Sequence, residues 1–251
     1  MNKSQTLLLQ PINVSTDRPR LLRDYVDGKT HYLFFKRIFD ILFAFSFLFL
    51  IGTWLFPLIA LLVWIDSRGP VFFIQKRVGR AGRAFSCVKF RTMVPNTEAN
   101  SKQAEVDDYR ITSIGHFLRN SSLDELPQFV NVLLGHMSVV GPRPHMHADC
   151  VRFSFMIDQY KFRNFVKPGI TGLAQVKGFR GPTGDFGSVF HRYQFDAFYV
   201  RNCNFWLDMR IIRKTAAQTL RFIYTTVVGK KKMGFEVEEM NWQLSPKAIK
   251  V

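Results

Sequence analysis

Tyrosine and tryptophan are scarce in this chain, 7 and 4 residues against 26 phenylalanines, and cysteine is scarcer still at 3. Cys87, Cys150 and Cys203 are odd in number and far apart. That excludes a disulfide framework and a cysteine metal cluster, so reduced structural thiols are expected. Acidic side chains are also few, 19 against 35 Lys and Arg, giving a formal net charge of +16. The excess points to an anionic partner: nucleic acid, an acidic lipid surface or a phosphorylated substrate. No internal repeat occurs, which excludes a solenoid. The first thirty residues are polar and no small-residue cleavage site follows the later apolar run, so no cleavable leader is expected. At 251 residues the chain suits one large domain, or a domain with an appendage.

Charge is missing altogether from residues 41–65, ILFAFSFLFLIGTWLFPLIALLVWI. About 20 apolar residues span a bilayer core, so this run is a membrane segment before it is a buried core helix. Basic residues flank both ends: Lys36 and Arg37 before it, then Arg68, Lys76, Arg77, Arg80 and Arg83. The positive-inside tendency places both flanks in the cytoplasm. Pro57, with Gly52 upstream, offers a point where the helix can break and return. A re-entrant hairpin satisfies both flanks; a merely kinked spanning helix is the other reading. Phenylalanine beside so much arginine suits such an interface.

Beyond the turn cluster at 66–70, residues 71–75 and 85–90 read as strands of a hairpin around Gly79–Arg83. Residues 95–108 are polar and read as a loop or ragged helix. Helical patterns cover 111–119 and 127–134, an amphipathic segment covers 149–165, and helices are expected at 190–200 and 207–223. GPRPH at 141–145 excludes regular structure there, and loops are expected at 167–172 and at 178–187.

Between the first two helical patterns stands SSLDELPQF, with Asp124 and Glu125 side by side. Ser122 and Glu125 match a capping box. That start would put Pro127 at the fifth helical position, where it deletes a ladder bond. Starting at Asp124 or one residue later removes the conflict and keeps one or both carboxylates ionised at a helix N-terminus. Capping explains one acid and leaves the second over. Around the pair lie cations set among glycine and proline: Lys89 and Arg91 in KFRTM, Arg119, Arg143 in GPRP, and Arg163 ahead of KPG. Arginine in rigid loops holds phosphate oxygens bidentately. Carboxylates beside such cations suit Mg2+, with one acid on the metal and the other acting as nucleophile or base on phosphorus.

KFRTM, SLDELPQ followed by NVLLGHMSVVGPRP, and KPGITGLAQV, in this order after an apolar helix, resemble the bacterial sugar transferase family over residues 35–220. These are the monotopic phosphoglycosyl transferases. The resemblance implies transfer of a sugar-1-phosphate from a nucleotide diphosphate sugar, usually a UDP-sugar, to undecaprenyl phosphate on the cytoplasmic face of the bacterial inner membrane. It implies Asp124 as nucleophile, a phosphosugar intermediate, release of UMP, and Glu125 as Mg2+ ligand. Lys89, Arg119, Arg143 and Arg163 match basic positions of the family, and Asp196 matches an acidic one. The family's helix break is usually Ser-Pro; here it is Phe56-Pro57, which lacks the hydroxyl. GFRGPT at 178–183 resembles versions in hexose-1-phosphate transferases. Downstream glycosyltransferases are implied partners, in exopolysaccharide, capsule or other surface glycan synthesis.

The expected fold is α+β and predominantly helical. A polar extension (1–34) precedes a re-entrant membrane helix (35–66), a cytoplasmic catalytic domain (67–228) with a β-hairpin and amphipathic interfacial helices, and a tail (229–251). A tethered nucleic-acid-binding protein is set aside, because the cations scatter among Gly-Pro loops and no nucleic-acid-binding motif appears. A noncatalytic scaffold for glycan assembly, and direct displacement with Asp124 as base, remain the competing readings.

Overall fold

The computed structural model describes residues 24–96, 108–181 and 185–228. Most of the expected polar loop at 95–108, part of the glycine-rich stretch at 178–187, and both terminal tails lie outside those residues. The described chain is mostly helical with a few short strands.

A short turn, α1 (Asp24–Asp27), leads into one long apolar helical stretch: α2 (Thr30–Phe47), a π turn (Leu48–Gly52) and α3 (Thr53–Asp66). Gly52 keeps helical torsions and Pro57 lies inside α3, so the departure from α geometry precedes the proline. Side chains take up carbonyls along the turn: Thr53 Oγ1 donates to the Phe49 carbonyl at 2.9 Å and Trp54 Nε1 to that of Leu50 at 3.0 Å. Only 17% of the apolar window of this stretch is buried, whereas the core helix of a soluble protein is mostly buried. A stripe including Phe45, Phe49, Trp54, Leu58 and Leu61 stands exposed.

The rest of the chain grips this helix at both ends. Near its start, Lys36 Nζ donates to Asp208 Oδ2 at 2.7 Å and Arg37 donates to the Val132 and Leu133 carbonyls at 2.6 and 3.0 Å. Asp40 Oδ1 accepts from the Val139 amide at 3.0 Å, and Phe47 stacks on Phe129 at 4.2 Å. Near its end, Ile59 and Val63 pack with Phe90 and Leu118, and Asp66 Oδ2 accepts from the Ile114 amide at 3.0 Å. Each such fully buried aliphatic or aromatic side chain contributes about 1.5–3 kcal/mol.

The hairpin forms as β1 (Phe72–Val78) and β2 (Ala84–Phe90), antiparallel, with Phe73 opposite Lys89. Then come α4 (Ser113–Ser121), a 3-10 turn (Leu123–Glu125) and α5 (Gln128–Leu133). Two further strands, β3 (Ser138–Val140) and β4 (Gly169–Thr171), pair in parallel. Between them lie α6 (His147–Met156) and a 3-10 segment (Tyr160–Phe165); α7 (Leu173–Val176), α8 (Phe186–Asn202) and α9 (Phe205–Val227) complete the fold. GPRPH is irregular, as expected, whereas β4 corrects the expectation of a plain loop over 167–172, and β3 precedes GPRPH as a strand the sequence reading did not name. Three-residue strands carry too little alternation to read in sequence. Their pairing presses the two loops together: the Gly141 amide donates to the Thr171 carbonyl at 2.9 Å and that of Gly169 to Pro142 at 3.0 Å. A Cβ on Gly141 would collide with the Lys167 carbonyl and one on Gly169 with the Gly141 nitrogen. Only glycine permits this approach.

Candidate active site

The acidic pair sits where α4 stops. Ser122 takes a left-handed conformation (φ 66°), and the 3-10 turn carrying Asp124 and Glu125 follows at once. Ser122 makes no capping bond, so the capping box is not formed; its hydroxyl instead accepts from Arg180. Leu126 and Pro127 continue with helical torsions into α5, and Pro127 stands before the first α-helical residue, where a missing amide costs little. A non-glycine residue at positive φ stores strain, and such residues concentrate at functional sites.

Both carboxylates are buried, and their surroundings differ. Lys89 Nζ donates to Glu125 Oε1 at 2.8 Å, Arg143 grips both oxygens at 2.7 and 3.1 Å, and Arg180 Nη2 stands 3.5 Å from Oε2. Burial pushes the Glu125 carboxyl upward, but Arg143, Lys89 and Arg180 together hold it well below the usual range. Among the described residues no donor hydrogen-bonds to Asp124. Burial first, then the charge of Glu125, raise its pKa, against the opposing pull of Lys89, Arg180 and Arg119. The expectation that a helix N-terminus keeps one or both acids ionised is met by opposite shifts, set by burial and by side-chain charges. One carboxylate is committed to ion pairs and the other is left open.

Each cation has a local reason for its place. Lys89 lies on β2, whose register is pinned by Asn131 of α5: its amide donates to the Ser86 carbonyl at 2.7 Å and its Oδ1 accepts from the Val88 amide at 3.0 Å. Arg119, on the last turn of α4, donates to Thr92 Oγ1 at 2.7 Å and acts on Asp124 through its charge. Arg143 projects from the locked GPRP loop. Arg163 and Asp196 form a buried pair behind it, at 2.6 and 3.0 Å. Arg163 Nη2 also donates to the Arg143 carbonyl at 2.7 Å. Arg163 and Asp196, matched in sequence to basic and acidic positions of the family, thus stand behind Arg143 and brace its backbone. His145 completes this layer, taking Tyr160 and Arg163 on Nδ1; burial and the surrounding arginines hold its pKa well below normal, so it is neutral.

Arg91, expected among the cations around the acidic pair, is placed elsewhere. The strand ends at Phe90, so the chain turns and Arg91 clamps the carbonyls of Val63, Ser67 and Arg68 at the end of α3. It fastens the long helix and does not join the cluster around Glu125. Arg180 and Asn131 were missed as site residues. Arg180 lies in the quoted GFRGPT stretch, where a basic residue among glycines was the available signal; Asn131, inside an apolar helical run, gave none.

Cations gathered around a buried acidic pair, on a domain carrying a long exposed apolar helix, fit a membrane-associated protein. Residues 31–222 match the model of the family described as bacterial sugar transferase, and the chain belongs to that family. It is 49% identical over 174 residues to the UDP-glucose:undecaprenyl-phosphate glucose-1-phosphate transferase of Xanthomonas campestris pv. campestris, covering 68% of this chain and 36% of that protein. The Escherichia coli (strain K12) protein of the same name is 46% identical, over 70% of this chain and 38% of its own length. The exopolysaccharide production protein PSS of Rhizobium leguminosarum bv. phaseoli is 43% identical, over 75% of this chain and 96% of its own. The chain thus spans little more than a third of the length of the UDP-glucose relatives from Xanthomonas and Escherichia.

Proposed function

We propose that the protein transfers a sugar-1-phosphate from a UDP-sugar, a UDP-hexose in the first instance, to undecaprenyl phosphate as the first membrane step of exopolysaccharide or other surface glycan synthesis. The observation that carries this reading is the division of labour between Asp124 and Glu125. An open carboxylate is available to attack phosphorus, while its neighbour organises the cations that neutralise the diphosphate. An Asp124 oxygen bonds to the phosphorus bearing the sugar, and UMP leaves with the bridging oxygen and its electron pair. An oxygen of the lipid phosphate then bonds to that phosphorus, and the bond to Asp124 breaks. Lys89, Arg119, Arg143 and Arg180 hold the phosphate oxygens through both steps.

Mg2+ fits this donor set. The described residues contain no group of three metal-ligating side chains, and Mg2+ commonly takes only one or two carboxylates along with phosphates. Glu125 would hold the ion beside Asp124 by exchanging a bond to Lys89 or Arg143 for the metal, and the ion when bound would supply positive charge to the diphosphate oxygens. Chelation with EDTA is expected to abolish UMP release and added Mg2+ to restore it; full turnover in chelator removes the metal from the scheme.

The helix is proposed to enter and leave the bilayer on the cytoplasmic face of the inner membrane. One domain holding both ends of a helical stretch of 37 residues supports that reading, since a straight helix of this length would reach about 55 Å. His31→Cys and Lys76→Cys, each added singly, test it in intact cells, because the three native cysteines are buried. Both new thiols should react only with reagents that enter the cytoplasm. Labelling of either from the periplasm makes the segment a true span.

A further inference from the structure

A cavity of about 360 Å³ opens at the start of α2, lined by Arg37, Arg80, Lys167, Phe34, Ser138 and others. It shares no residue with the cluster around Glu125. Lys36, also on its wall, is committed to Asp208. Arg37, Arg80 and Lys167 have no ion-pair partner among the described residues, and Lys167 and Arg80 make no side-chain hydrogen bond there. A Cβ at Gly135 would stand 3.5 Å from Arg37 Nη2 and 3.8 Å from Lys167 Nζ, so these two cations of the wall lie close to each other. Ser138, 2% exposed, brings a hydroxyl beside Asp40 without a hydrogen bond of ordinary geometry. The carboxylates on the wall are Asp27 and Asp40, and Asp40 already accepts the Val139 amide. Burial and the neighbouring charges of Arg37 and Arg80 lower the Lys167 ammonium against the pull of Asp40, which does not offset them. Phe34, 63% exposed, stands at the rim and belongs to the exposed apolar side of α2.

We propose that this cavity binds the phosphate of an anionic phospholipid, with Arg37, Arg80 and Lys167 on the headgroup and Phe34 against the acyl chains. The proposal rests on the membrane reading above, and it adds a lipid site separate from the acidic pair. A phosphate recruits convergent cations by charge-assisted hydrogen bonds, while neutral lipid offers no net charge to satisfy them.

Native mass spectrometry of the full chain in detergent tests it, with phosphatidylglycerol and phosphatidylcholine as competing probes. One phosphatidylglycerol should be retained in preference to phosphatidylcholine. Arg80→Gln/Lys167→Gln should weaken that retention by at least about tenfold, the order expected when two phosphate-facing cations are lost. Arg80→Glu, a reversal at an exposed turn, should weaken it as well, while Lys76→Gln/Lys161→Gln, with the same loss of charge elsewhere, should not. Equal retention of the two lipids, unchanged retention by the cavity variants, or an equal loss in the control pair overturns the site. Displacement of the lipid by millimolar inorganic phosphate reassigns the cavity to free phosphate and overturns the lipid assignment. UMP release by the same preparations reports separately on the phosphotransfer reading, since its failure would leave lipid retention unaffected.

Discussion

Asp124→Asn is expected to eliminate a covalent phosphosugar adduct while leaving the fold intact or more stable. An amide is too weakly nucleophilic to bond to phosphorus, so the rate should fall by several orders of magnitude. Loss of a positioned base alone typically costs about 100-fold to 10,000-fold. Rate therefore does not separate the mechanisms, and the adduct does. Wild-type enzyme mixed with UDP-sugar, without lipid acceptor, should release UMP in a burst stoichiometric with enzyme and carry the phosphosugar on the peptide containing Asp124. Absence of both under turnover conditions favours direct displacement with Asp124 as base. Stability supplies an independent sign. Burial and Glu125 raise the folded-state pKa of Asp124 above its unfolded value. Ionising it in the native state therefore costs more than in the unfolded chain, and this destabilisation develops as pH rises from the unfolded pKa through the folded one. A neutral asparagine removes it, so at neutral pH the melting temperature should be unchanged or higher. A marked fall in melting temperature would mean that Asp124 carries structure the hydrogen bonds do not reveal.

Glu125→Gln should do the reverse. The folded-state pKa of Glu125 lies well below its unfolded value because Arg143, Lys89 and Arg180 overcome the burial cost. Its contribution to stability is therefore present above the unfolded pKa and lost as pH falls through the folded one. Glutamine leaves three cations facing one another without a counter-charge. Breaking a buried pair from one side costs about 3–5 kcal/mol, and the partial exposure of these cations points to the lower figure. The melting temperature should drop at neutral pH and converge with wild type in acid. High Mg2+ should restore only part of the activity, because metal does not replace the anion that orients Lys89 and Arg143. Full rescue with an unchanged melting temperature would reduce Glu125 to a metal ligand.

The sequence by itself determined the elements whose signals are local. A charge-free run of 25 residues has few fates, a Gly-rich turn between β-prone segments makes a hairpin, and adjacent acids before a proline must stand near a helix start. Those features, with the ordered KFRTM, SLDELPQ, GPRP and KPG motifs, also located Asp124, Glu125, Lys89, Arg119 and Arg143. Only the tertiary structure decided which charge meets which. Arg91 and Lys89 are two residues apart, yet the strand ends between them, and one clamps α3 while the other reaches Glu125. Arg163 and Asp196, 33 residues apart and matched to the family one by one, become a buried pair holding the Arg143 carbonyl. Arg180, 55 residues beyond Glu125, arrives through the packing of its loop against Ser122. The physical reason is range. Helix, turn and strand preferences act over a few residues, whereas an ion pair depends on side chains that burial brings together across the fold. Burial and the adjacent Glu125 therefore raise the pKa of Asp124, while Arg143, Lys89 and Arg180, brought in from across the fold, overcome burial and lower that of Glu125.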